Sequence, residues 1–567
     1  MNKFYFILLL ISISSCSRKS KDESSASASF IDGFELFPTT TIKIDSTLIN
    51  NFNNEELKLF YKHFNNETVW KLETQRKYVL EELLNADKEG LQSKDYQYSK
   101  LQSYENNYSK LVDSSVVNYD LLLTKNLQLY INHIGKGKLK ASDVYSDWDL
   151  KENKVDVNSL LFDAIENDNL KNTIEKTKPN HIIYKKLKLA LKELLLYPED
   201  LIDSVIIGKE KIVPNKKYKM VYTIKKRLMY WNDLKRQDTL TGIYDVATQN
   251  AMKIFQERHG LNPDAIIGKA TVEALNFKKN QRIEQVIANL ERWRWFQHDF
   301  GKHYLLINIP DYNLVAVKDN DTMQTQRIVV GKESRRTPIL ESKISNINLN
   351  PNWTVPPTIL KEDIFPDAIK SKSAFRRKGL VIMNYKNKEV NPYSWKMADA
   401  KKYKYVQKPG RNNSLGSMKI NFPNNHSVYL HDTNHRDYFN FTFRSLSSGC
   451  VRLEKPLEMA SYLINDEEKW DLQTIIDTTD IKYYNKLKKE KEILLAQKNA
   501  KLLAKNPNLV IAKKVFANPE LKTIIIPITE EILIHQLYWT AWMTNGKLQF
   551  RQDIYKSDFQ LYTKLRN

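Results

Sequence analysis

The residues of this chain with the clearest potential for chemistry are a histidine and a cysteine in two short motifs. His431 ends the run Ser427-Val-Tyr-Leu-His431, and Cys450 stands nineteen positions later in Ser447-Ser-Gly-Cys-Val-Arg-Leu453. Cysteine is nucleophilic as a thiolate, and a thiol with a pKa of about 8.5 needs a neighbouring imidazole or positive dipole to ionise at neutral pH. The pair therefore indicates acyl transfer through a thiol.

The histidine is predicted to lie at the end of a strand. Alternation of polar and apolar residues predicts that Ser427, Tyr429 and His431 share one face of that strand, opposite the core. From there His431 would act as the general base that takes the thiol proton and later returns it to a leaving amine. His435 is the rival base, but it falls in the polar loop that follows.

The residues around the cysteine support the same chemistry. Gly449 lets the backbone turn sharply and exposes N–H groups near the sulfur, where they could form an oxyanion hole. Arg452 could stabilise the thiolate or hold a substrate carboxylate through two hydrogen bonds. A buried, inert thiol is the commoner fate of a lone cysteine, but the histidine and the Gly-Cys-Val-Arg context favour a nucleophile. No pair of histidines, cysteines or carboxylates has convincing zinc spacing, so no metal and no cofactor are predicted.

The N-terminus has the layout of a bacterial lipoprotein signal. Residues 1–15 contain a lysine near the start and an apolar run that is too short to span a bilayer, and they are followed by Cys16. We expect Cys16 to become the lipidated N-terminus, with residues 16–44 as a tether. The chain has two cysteines, so the mature protein would carry Cys450 as a free thiol. The alternative is a short buried segment that happens to end in cysteine.

The chain is strongly basic, with a formal net charge of +21 and a pI near 9.4. Such a charge calls for an anionic partner, for which nucleic acid is the usual first interpretation. An exported lipoprotein rarely meets nucleic acid, so none is predicted, and an acidic wall polymer or anionic lipid fits better. The alternative is that the lysines, which are spread along the chain, are only solvated.

The pattern of apolar residues predicts a multidomain α+β protein, since 567 residues suggest roughly three or four domains. The predicted parts are a helical scaffold domain (45–215), a compact helical unit (216–278), a connecting helix (279–302), a β-rich domain (303–480) with a helical insertion at about 354–409, a lysine-rich helical insertion (481–520) and a C-terminal return segment (521–567). The insertion at 354–409 could be a lid over an active site or a surface insertion that takes no part in the site. In the connecting helix, Arg282 to Trp295 interleaves arginine with tryptophan, which favours docking against a neighbouring domain over nucleic-acid binding.

The compact helical unit resembles the peptidoglycan-binding domain of cell-wall hydrolases and transpeptidases. The resemblance rests on Thr241-Gly-Ile-Tyr-Asp-Val-Ala-Thr248, Phe255-Gln256, His259-Gly-Leu261, Ile267-Gly-Lys-Ala-Thr271 and Ala274-Leu275-Asn276. It implies a small three-helix fold that binds peptidoglycan. The chain departs from the family at Asp264-Ala265, where members usually carry Asp-Gly. A spacer of the same fold that does not bind glycan is the alternative.

The β-rich domain resembles the L,D-transpeptidase catalytic domain, in particular that of the large multidomain branch of the family. The stretches that carry the resemblance are Leu290-Glu-Arg-Trp-Arg-Trp295, Asn350-Pro-Asn-Trp-Thr-Val-Pro356, Gln407-Lys-Pro-Gly410, Asn413-Ser-Leu-Gly416, Tyr429-Leu-His-Asp-Thr433, Ser447-Ser-Gly-Cys-Val-Arg452 and Leu537-Tyr-Trp-Thr-Ala-Trp542. The resemblance implies that His431 is the base, that Cys450 is the nucleophile, and that Ser448 and Gly449 shape the oxyanion site. The insertion after Trp353 would be a substrate-capping subdomain, and Arg452, Tyr429 and Trp353 would face the substrate.

The activity that this resemblance implies is the formation of 3–3 cross-links in peptidoglycan, with release of D-alanine from tetrapeptide stems and sensitivity to carbapenems. The expected partners are peptidoglycan stems and glycan, and the membrane through the N-terminal lipid. We expect a monomer in the periplasm that contributes to cell-wall organisation and cell shape.

Other functions remain open on the sequence alone. The same Cys/His site would serve an L,D-carboxypeptidase that gives the acyl group to water, or a transferase that attaches another amine to the wall. A non-catalytic wall-binding lipoprotein would be expected to have lost His431 or Cys450. A papain-like peptidase would need its cysteine well before its histidine, and here the order is reversed.

Overall fold

The structure, a computed structural model, describes residues 41–296, 299–505 and 519–567. The buried apolar side chains of these residues fall into four clusters. The largest joins the β-rich region to five of the helices that pack on it, and the others lie in the N-terminal helices, in the compact helical unit and in the insertion of the β-rich region. Separate cores of this kind are what a multidomain α+β chain requires. The predicted leader and Cys16 lie outside the described residues.

The N-terminal region is built from helices packed around one long central helix. These helices are α1 (Ser46–Asn50), α2 (Glu55–His63), α3 (Glu73–Leu84), α4 (Tyr98–Asn106), α5 (Asp113–Lys136), α6 (Val157–Glu166), α7 (Leu170–Thr177) and α8 (Ile182–Leu196). Helix α5 is central, and its buried Asp120 accepts hydrogen bonds from the Tyr61 hydroxyl at 2.6 Å and the Trp70 N–H at 2.9 Å. These bonds fasten α2 and the segment after it to α5.

Three helices form the compact unit that follows, as the sequence predicts. They are α9 (Val221–Tyr230), α10 (Val246–Arg258) and α11 (Lys269–Leu275). At the unusual Asp264-Ala265 turn, Ala265 is fully buried and has a φ of 60°. Its N–H donates to the Gln256 side chain at 2.8 Å. The turn thus keeps the left-handed residue for which glycine is usual, at a cost of about 1–2 kcal/mol.

The connecting helix α12 (Lys279–Trp295) packs against the C-terminal segment and α8. Its last four residues, Arg292 to Trp295, are all buried. The arginines form ion pairs, Arg292 with Asp558 and Arg294 with Glu291. Arginine and tryptophan therefore alternate here because both sides of the helix end are packed inside the protein, which is the docking role predicted for this segment.

The β-rich region begins with strands that precede the insertion. After β1 (Trp148–Asp149), which comes from the N-terminal region, these strands are β2 (His303–Asn308), β3 (Asn313–Lys318), β4 (Asp321–Gly331), β5 (Ile339–Lys343) and β6 (Asn346–Leu349). Alternation of buried and partly exposed residues along β2 and β6 matches strands with one face on the core.

The insertion contains a sheet as well as the helices that the sequence predicts. Its elements are β7 (Trp353–Thr354), α13 (Pro357–Ile359), α14 (Phe365–Lys370), α15 (Ser373–Arg377), β8 (Val381–Met383), β9 (Glu389–Val390) and β10 (Lys404–Gln407). The strands pair in the order β7-β10-β8-β9. Strands of two to four residues leave little alternation in sequence, so the sequence predicts the helices of the insertion but not its sheet.

The remaining elements complete the large sheet and surround it with helices. They are β11 (Met418–Asn421), β12 (Leu430–His431), β13 (Ser445–Ser447), β14 (Val451–Leu453), α16 (Pro456–Ile464), α17 (Glu467–Trp470), α18 (Leu472–Thr479), α19 (Ile481–Lys505), β15 (Ile524–Pro527), β16 (Leu533–Leu537), β17 (Ala541–Thr544), β18 (Lys547–Phe550) and α20 (Asp558–Arg566). The large sheet has the order β1-β5-β16-β2-β3-β4-β14-β12-β11-β6-β15, and β13 pairs with β4.

The C-terminal segment contributes to the interior of the large sheet. Strand β16 lies between β2 and β5, parallel to the first and antiparallel to the second. β16 lies within the return segment that the sequence predicts at 521–567. Its position matters because β16 joins strands from the other end of the domain. Within the described residues, no helix has the length and apolar character needed to cross a membrane.

Candidate active site

The cysteine, the histidine and two cations lie on one face of the large sheet. β12 pairs in parallel with β14 so that His431 is beside Arg452, and β11 pairs with β12 so that Lys419 is on the other side of His431. Paired residues on neighbouring strands point to the same face of a sheet. Tyr429 and Cys450, two residues before His431 and Arg452, continue that face.

The strand that carries the histidine is shorter than the sequence predicts. β12 contains only Leu430 and His431, and Ser427 has a φ of 55°. A left-handed residue breaks the alternation, so the prediction that Ser427 belongs to the strand was wrong. The predicted shared face holds for Tyr429 and His431, whose rings lie 5.6 Å apart.

The turn before the cysteine depends on glycine. Gly449 has a φ of 110°, and a Cβ there would lie 3.2 Å from the Arg336 carbonyl oxygen. The Gly449 carbonyl accepts a hydrogen bond from Thr337 Oγ1 at 2.8 Å. On the other side, Ser447 Oγ donates to the Cys450 carbonyl at 2.6 Å. These contacts fix the backbone on both sides of Cys450.

A cavity of about 490 Å³ opens over this face, and both Cys450 and His431 line it. Most of its walls come from three parts of the chain: the β12 and β14 face with the residues that precede these strands, the loop between β4 and β5, and the first part of the insertion. The residues from the loop and the insertion include Arg335, Arg336, Trp353, Pro356, Ile359 and Asp363. Among the described residues, no group of three or more His, Cys, Asp or Glu side chains could hold a metal ion.

The ionisation of Cys450 is governed by opposing effects. Burial raises the pKa of its thiol. A hydrogen bond with the backbone of Tyr429 and the positive charge of Lys419 both lower that pKa. The Tyr429 hydroxyl and the positive charge of Arg452 act in the same direction. The resting residue is therefore a thiol that needs a base, surrounded by groups that stabilise the thiolate once it forms.

His431 is arranged as that base. Its Nδ1 forms a short hydrogen bond with the carbonyl oxygen of Asp432. A carbonyl can only accept, so Nδ1 must carry the proton and Nε2 must have the free lone pair. Burial, together with the positive charges of Arg452 and Lys419, lowers the pKa of His431 to about 3. The imidazole is thus neutral at rest and ready to accept a proton.

Comparison with known proteins identifies the domain that this site belongs to. A family model described as the L,D-transpeptidase catalytic domain (YkuD) matches residues 302–472, which include both His431 and Cys450. Residues 302–472 form an L,D-transpeptidase catalytic domain. Models described as "Putative peptidoglycan binding domain" and "Scaffold domain" match residues 217–275 and 55–191. The predicted resemblances to the transpeptidase and peptidoglycan-binding families are confirmed.

Related proteins agree with the family match. A Haemophilus influenzae protein named "Putative L,D-transpeptidase" is 32% identical over 286 residues, which are 50% of each chain. The chain thus spans about half the length of this curated relative. Solved L,D-transpeptidases from Xylanimonas cellulosilytica and Stackebrandtia nassauensis are each 14% identical. They cover 47% and 44% of this chain and 95% and 86% of their own, with TM-scores of 0.16 and 0.18, too low to add to the family match.

A carboxylate behind the histidine of the transpeptidase domain holds its backbone in place. Asp432 Oδ2 accepts hydrogen bonds from Ser417 N at 2.9 Å and Ser417 Oγ at 2.7 Å. Its other oxygen accepts from Arg436 at 3.1 Å. Gly416 has a φ of 62°, and a Cβ there would come within 2.3 Å of the carboxylate. The Gly-Ser turn and Asp432 thus fit together and orient His431 through the carbonyl that it contacts.

The remaining predicted site residues all line the cavity. The Arg452 side chain donates to Thr433 Oγ1 at 3.2 Å, and its Nε is buried with no partner among the described residues. Ser448 Oγ accepts from Arg335 at 2.9 Å. The Gly449 N–H donates to Ser447 Oγ at 3.2 Å. That N–H is already engaged, so Gly449 shapes the turn and does not offer a free oxyanion donor in this structure.

Trp353 and Tyr429 meet at the cavity wall. Trp353 comes from β7, at the start of the insertion, and lies close enough to the Tyr429 hydroxyl to lower its pKa. Burial outweighs this effect and raises the pKa of Tyr429, so its hydroxyl stays protonated. The insertion thus reaches the residue whose hydroxyl lowers the pKa of Cys450. The rival base His435 is exposed, stacks on Tyr438 at 5.0 Å and does not line this cavity.

The sequence did not point to Lys419 or Arg335. Lys419 alternates with apolar Met418 and Ile420, so the two-residue period alone could have placed it on the face opposite the core. Its position beside His431 depends on how β11 pairs with β12. Arg335 bonds both Ser448 and the insertion residues Glu362 and Asp363, and no local sequence signal predicts such a contact.

Proposed function

We propose that this protein is a peptidoglycan L,D-transpeptidase that forms 3–3 cross-links through an acyl-enzyme on Cys450. One observation carries the proposal: Cys450 and a neutral His431 with its Nε2 free line the same cavity of a transpeptidase domain. A thiol and a base in this arrangement perform acyl transfer, and the family match directs it to peptidoglycan peptides. The H. influenzae relative, named "Putative L,D-transpeptidase", supports the same activity.

In the first half-reaction His431 Nε2 takes the proton of the Cys450 thiol. The thiolate attacks the carbonyl carbon between the third and fourth residues of a tetrapeptide stem and forms a tetrahedral intermediate. The C–N bond then breaks, and the proton held by His431 passes to the leaving amine of D-alanine. The product is a thioester between Cys450 and the third residue.

In the second half-reaction a side-chain amine of another stem attacks the thioester. His431 accepts the amine proton, the C–S bond breaks, and the regenerated thiolate recovers its proton from His431. The result is an amide between the third residues of two stems. If water attacks instead of the amine, the same site acts as an L,D-carboxypeptidase.

The negative charge of the intermediate needs a donor near the sulfur. Because the Gly449 N–H is bonded to Ser447 Oγ, we assign this role to the N–H of Cys450 itself. Among the described residues, no acceptor is bonded to that N–H. Arg452, with its unpartnered Nε, is placed to hold a substrate carboxylate at the cavity wall.

The other domains fit a wall enzyme. The peptidoglycan-binding domain would hold glycan near the catalytic domain, and the insertion after Trp353 would cap the bound stem. We further propose that Cys16 is lipidated and anchors the protein in the cell envelope, facing the periplasm, which the basic charge of +21 would suit. Radiolabelled lipid incorporation that is lost in Cys16→Ala tests this part.

The test of the proposed function is a product assay. The purified chain is incubated with disaccharide-tetrapeptide, and the products are followed by mass spectrometry. We expect a cross-linked dimer and free D-alanine from the parent protein, and neither from Cys450→Ala. Tripeptide alone would indicate the carboxypeptidase, and the absence of any Cys450-dependent product would favour a wall-binding protein.

A matched pair of histidine variants tests the role of the base. His431→Ala should lower the rate by about 10²–10⁴-fold, the usual contribution of general acid–base catalysis. His435→Ala, four residues away but exposed, should keep the parent rate. A carbapenem should add its mass to Cys450 in the parent and in His435→Ala, and equal losses in both histidine variants would contradict the assignment.

A further inference from the structure

We propose that Lys419 is a positioning residue of this site, whose ammonium acts through the ring of Tyr429 to favour the thiolate of Cys450. The inference deepens the proposed function, since it rests on Cys450 as the nucleophile. The effect is measurable on the thiol alone, without peptidoglycan. Nothing in the family match assigns a role to this lysine.

The position of Lys419 follows from the strand pairing. Lys419 is paired with His431 across β11 and β12, so its side chain leaves the sheet on the same face as Tyr429 and Cys450. Its Nζ lies 3.8 Å from the centroid of the Tyr429 ring. Lys419 does not itself line the cavity, whereas Tyr429 does. The ring therefore separates the ammonium from the substrate.

The ammonium has no anionic partner of its own. Among the described residues, no carboxylate forms an ion pair with Lys419. Burial lowers the pKa of Lys419, and Cys450 is the one group that acts in the opposite direction. A half-buried cation without a counter-ion is costly, and the thiolate is the negative charge that would relieve that cost.

The path from the ammonium to the sulfur runs through the phenol. A cation over an aromatic face is attracted to the ring and draws electron density from it. This makes the Tyr429 hydroxyl a stronger donor, and a stronger donor stabilises the thiolate more than the thiol. The Tyr429 hydroxyl lies close enough to the thiol to lower its pKa.

This role differs from those of the other charged groups near the sulfur. His431 is neutral at rest and Arg452 lines the cavity, so Lys419 supplies a positive charge that does not contact the substrate. The other titratable or charged groups that line the cavity with Cys450 are Tyr429, His431, Arg452, Arg335, Arg336, Asp363, Asp147 and His426. The variants that test Lys419 must therefore leave these groups unchanged, with the exception of Tyr429, whose hydroxyl is itself under test.

The test measures how fast iodoacetamide alkylates Cys450 as a function of pH. The full chain is used, and mass spectrometry of the Cys450 peptide separates it from Cys16. Lys419→Met keeps the length of the side chain without its charge, and Lys419→Arg keeps the charge. We expect Lys419→Met to raise the apparent pKa of Cys450 by about one unit and to slow alkylation at pH 7 about tenfold, the reduction in thiolate that such a shift implies. Lys419→Arg should stay within about threefold of the parent.

A double-mutant cycle tests the path through the ring. Tyr429→Phe removes the hydroxyl, and we expect Lys419→Met to have a smaller effect in its presence than in the parent, because part of the effect passes through that group and part acts directly on the sulfur. An unchanged apparent pKa in folded Lys419→Met would overturn the proposal, and so would fully additive effects of the two variants. If Lys419→Met does not fold, Tyr429→Phe decides, since an unchanged pKa there would also overturn it.

The outcomes separate this inference from the proposed function. If Lys419→Met shifts the pKa of Cys450 but the parent makes no cross-linked product, the role of Lys419 stands and the transpeptidase assignment fails. If the parent makes the dimer and Lys419→Met leaves the pKa of Cys450 unchanged, the transpeptidase assignment stands and the role of Lys419 fails. Transpeptidation by Lys419→Met should fall in kcat more than it rises in KM, since the lysine does not contact the substrate.

Discussion

Two regions of this protein place positive charges away from water, and they treat them in opposite ways. At the C-terminal end of α12, Arg292 and Arg294 are buried and each forms an ion pair. Beside Cys450, Lys419 and Arg452 are half-buried, and neither forms an ion pair with any described carboxylate. The first arrangement joins domains, because α12 contacts α5, α8 and α20. The second leaves positive charge available to a thiolate or a substrate.

The difference shows how a buried cation can be interpreted. A buried charge with a carboxylate partner is satisfied and serves the fold, whereas an unpaired one carries a free-energy cost that packing alone does not explain. Perturbed, unpaired groups lining a cavity are therefore candidates for function. Arg452 meets this criterion and belongs to the site, Lys419 adjoins the site through its contact with the cavity residue Tyr429, and the Arg-Trp motif of α12 does not belong to it.

Removing a carboxylate that pairs with an arginine of α12 should have the largest effect on stability. Glu291 is fully buried, and it accepts hydrogen bonds from Arg294 at 2.9 Å and from the Leu139 N–H at 2.9 Å. Glu291→Ala should lower the free energy of unfolding by about 3–5 kcal/mol, since it leaves a buried guanidinium unpaired. Urea titration measures the change. Glu284→Ala, on the same helix but only partly buried, should change stability by less than about 1 kcal/mol, and equal losses in the two variants would break the comparison.

Removing the unpaired cation Arg452 should affect activity instead of stability. Arg452→Met should lower kcat/KM for tetrapeptide about 10–150-fold, the value of a hydrogen bond to a charged group. Its free energy of unfolding should stay within about 1 kcal/mol of the parent, because no ion pair is lost. Arg327→Met, which breaks an exposed pair with Glu454, is the control with parent activity. A large loss of stability in Arg452→Met would show that Arg452 serves the fold.

Acid should reveal that each region holds a histidine neutral. Burial and nearby cations lower the pKa of His431 to about 3 and that of His133, near Lys138 and Arg294, to about 4. Unfolding restores a pKa of about 6.5, so the unfolded chain binds more protons below that value and stability falls as the pH falls. Between pH 7 and pH 5 each histidine should lower the free energy of unfolding by about 2 kcal/mol.

The measurement is the free energy of unfolding at several pH values in the parent, His133→Gln and His431→Gln. In each variant the free energy of unfolding should fall less steeply with falling pH, by the amount that the replaced histidine contributes in the parent. Burial raises the pKa values of Asp120 and Asp558 to about 6, so these carboxyl groups change stability with pH in the opposite direction. The test therefore compares the variants with the parent and does not use the slope of the parent alone. A slope identical in all three proteins would mean that the histidines are protonated in the folded state.

The smallest effect is expected from Arg335, whose carboxylate partners are exposed. Arg335 pairs with Glu362 and Asp363 of the insertion, and these carboxylates retain 51% and 42% of their exposure. Arg335→Ala should cost less than about 1 kcal/mol in stability. By releasing the insertion, it should speed alkylation of Cys450 about two- to fivefold without moving the apparent pKa, a rate change worth at most about 1 kcal/mol. A shifted pKa would place Arg335 among the groups that control the thiol.

The sequence predicts most of this architecture because its signals are local. Cys450, His431 and Gly449 stand in motifs that define the family, and the three-helix unit shows its helices through regular apolar spacing. The short strands of the insertion and the two-residue β12 were missed or misjudged, because strands of that length show no period. The position of β16 in the middle of the sheet was not predicted, because it depends on pairing with strands more than 180 residues earlier in the chain.

The sequence by itself determined the candidate nucleophile, the candidate base and the families that successive parts of the chain resemble, since these follow from residue types and spacing along the chain. Only the tertiary structure decided the charges around the thiol. Lys419, Arg335 and the tautomer of His431 depend on strand register, on contacts between distant segments and on a backbone carbonyl. Burial and charge act through space on a pKa, and distances through space are set by the packed fold, not by the order of residues.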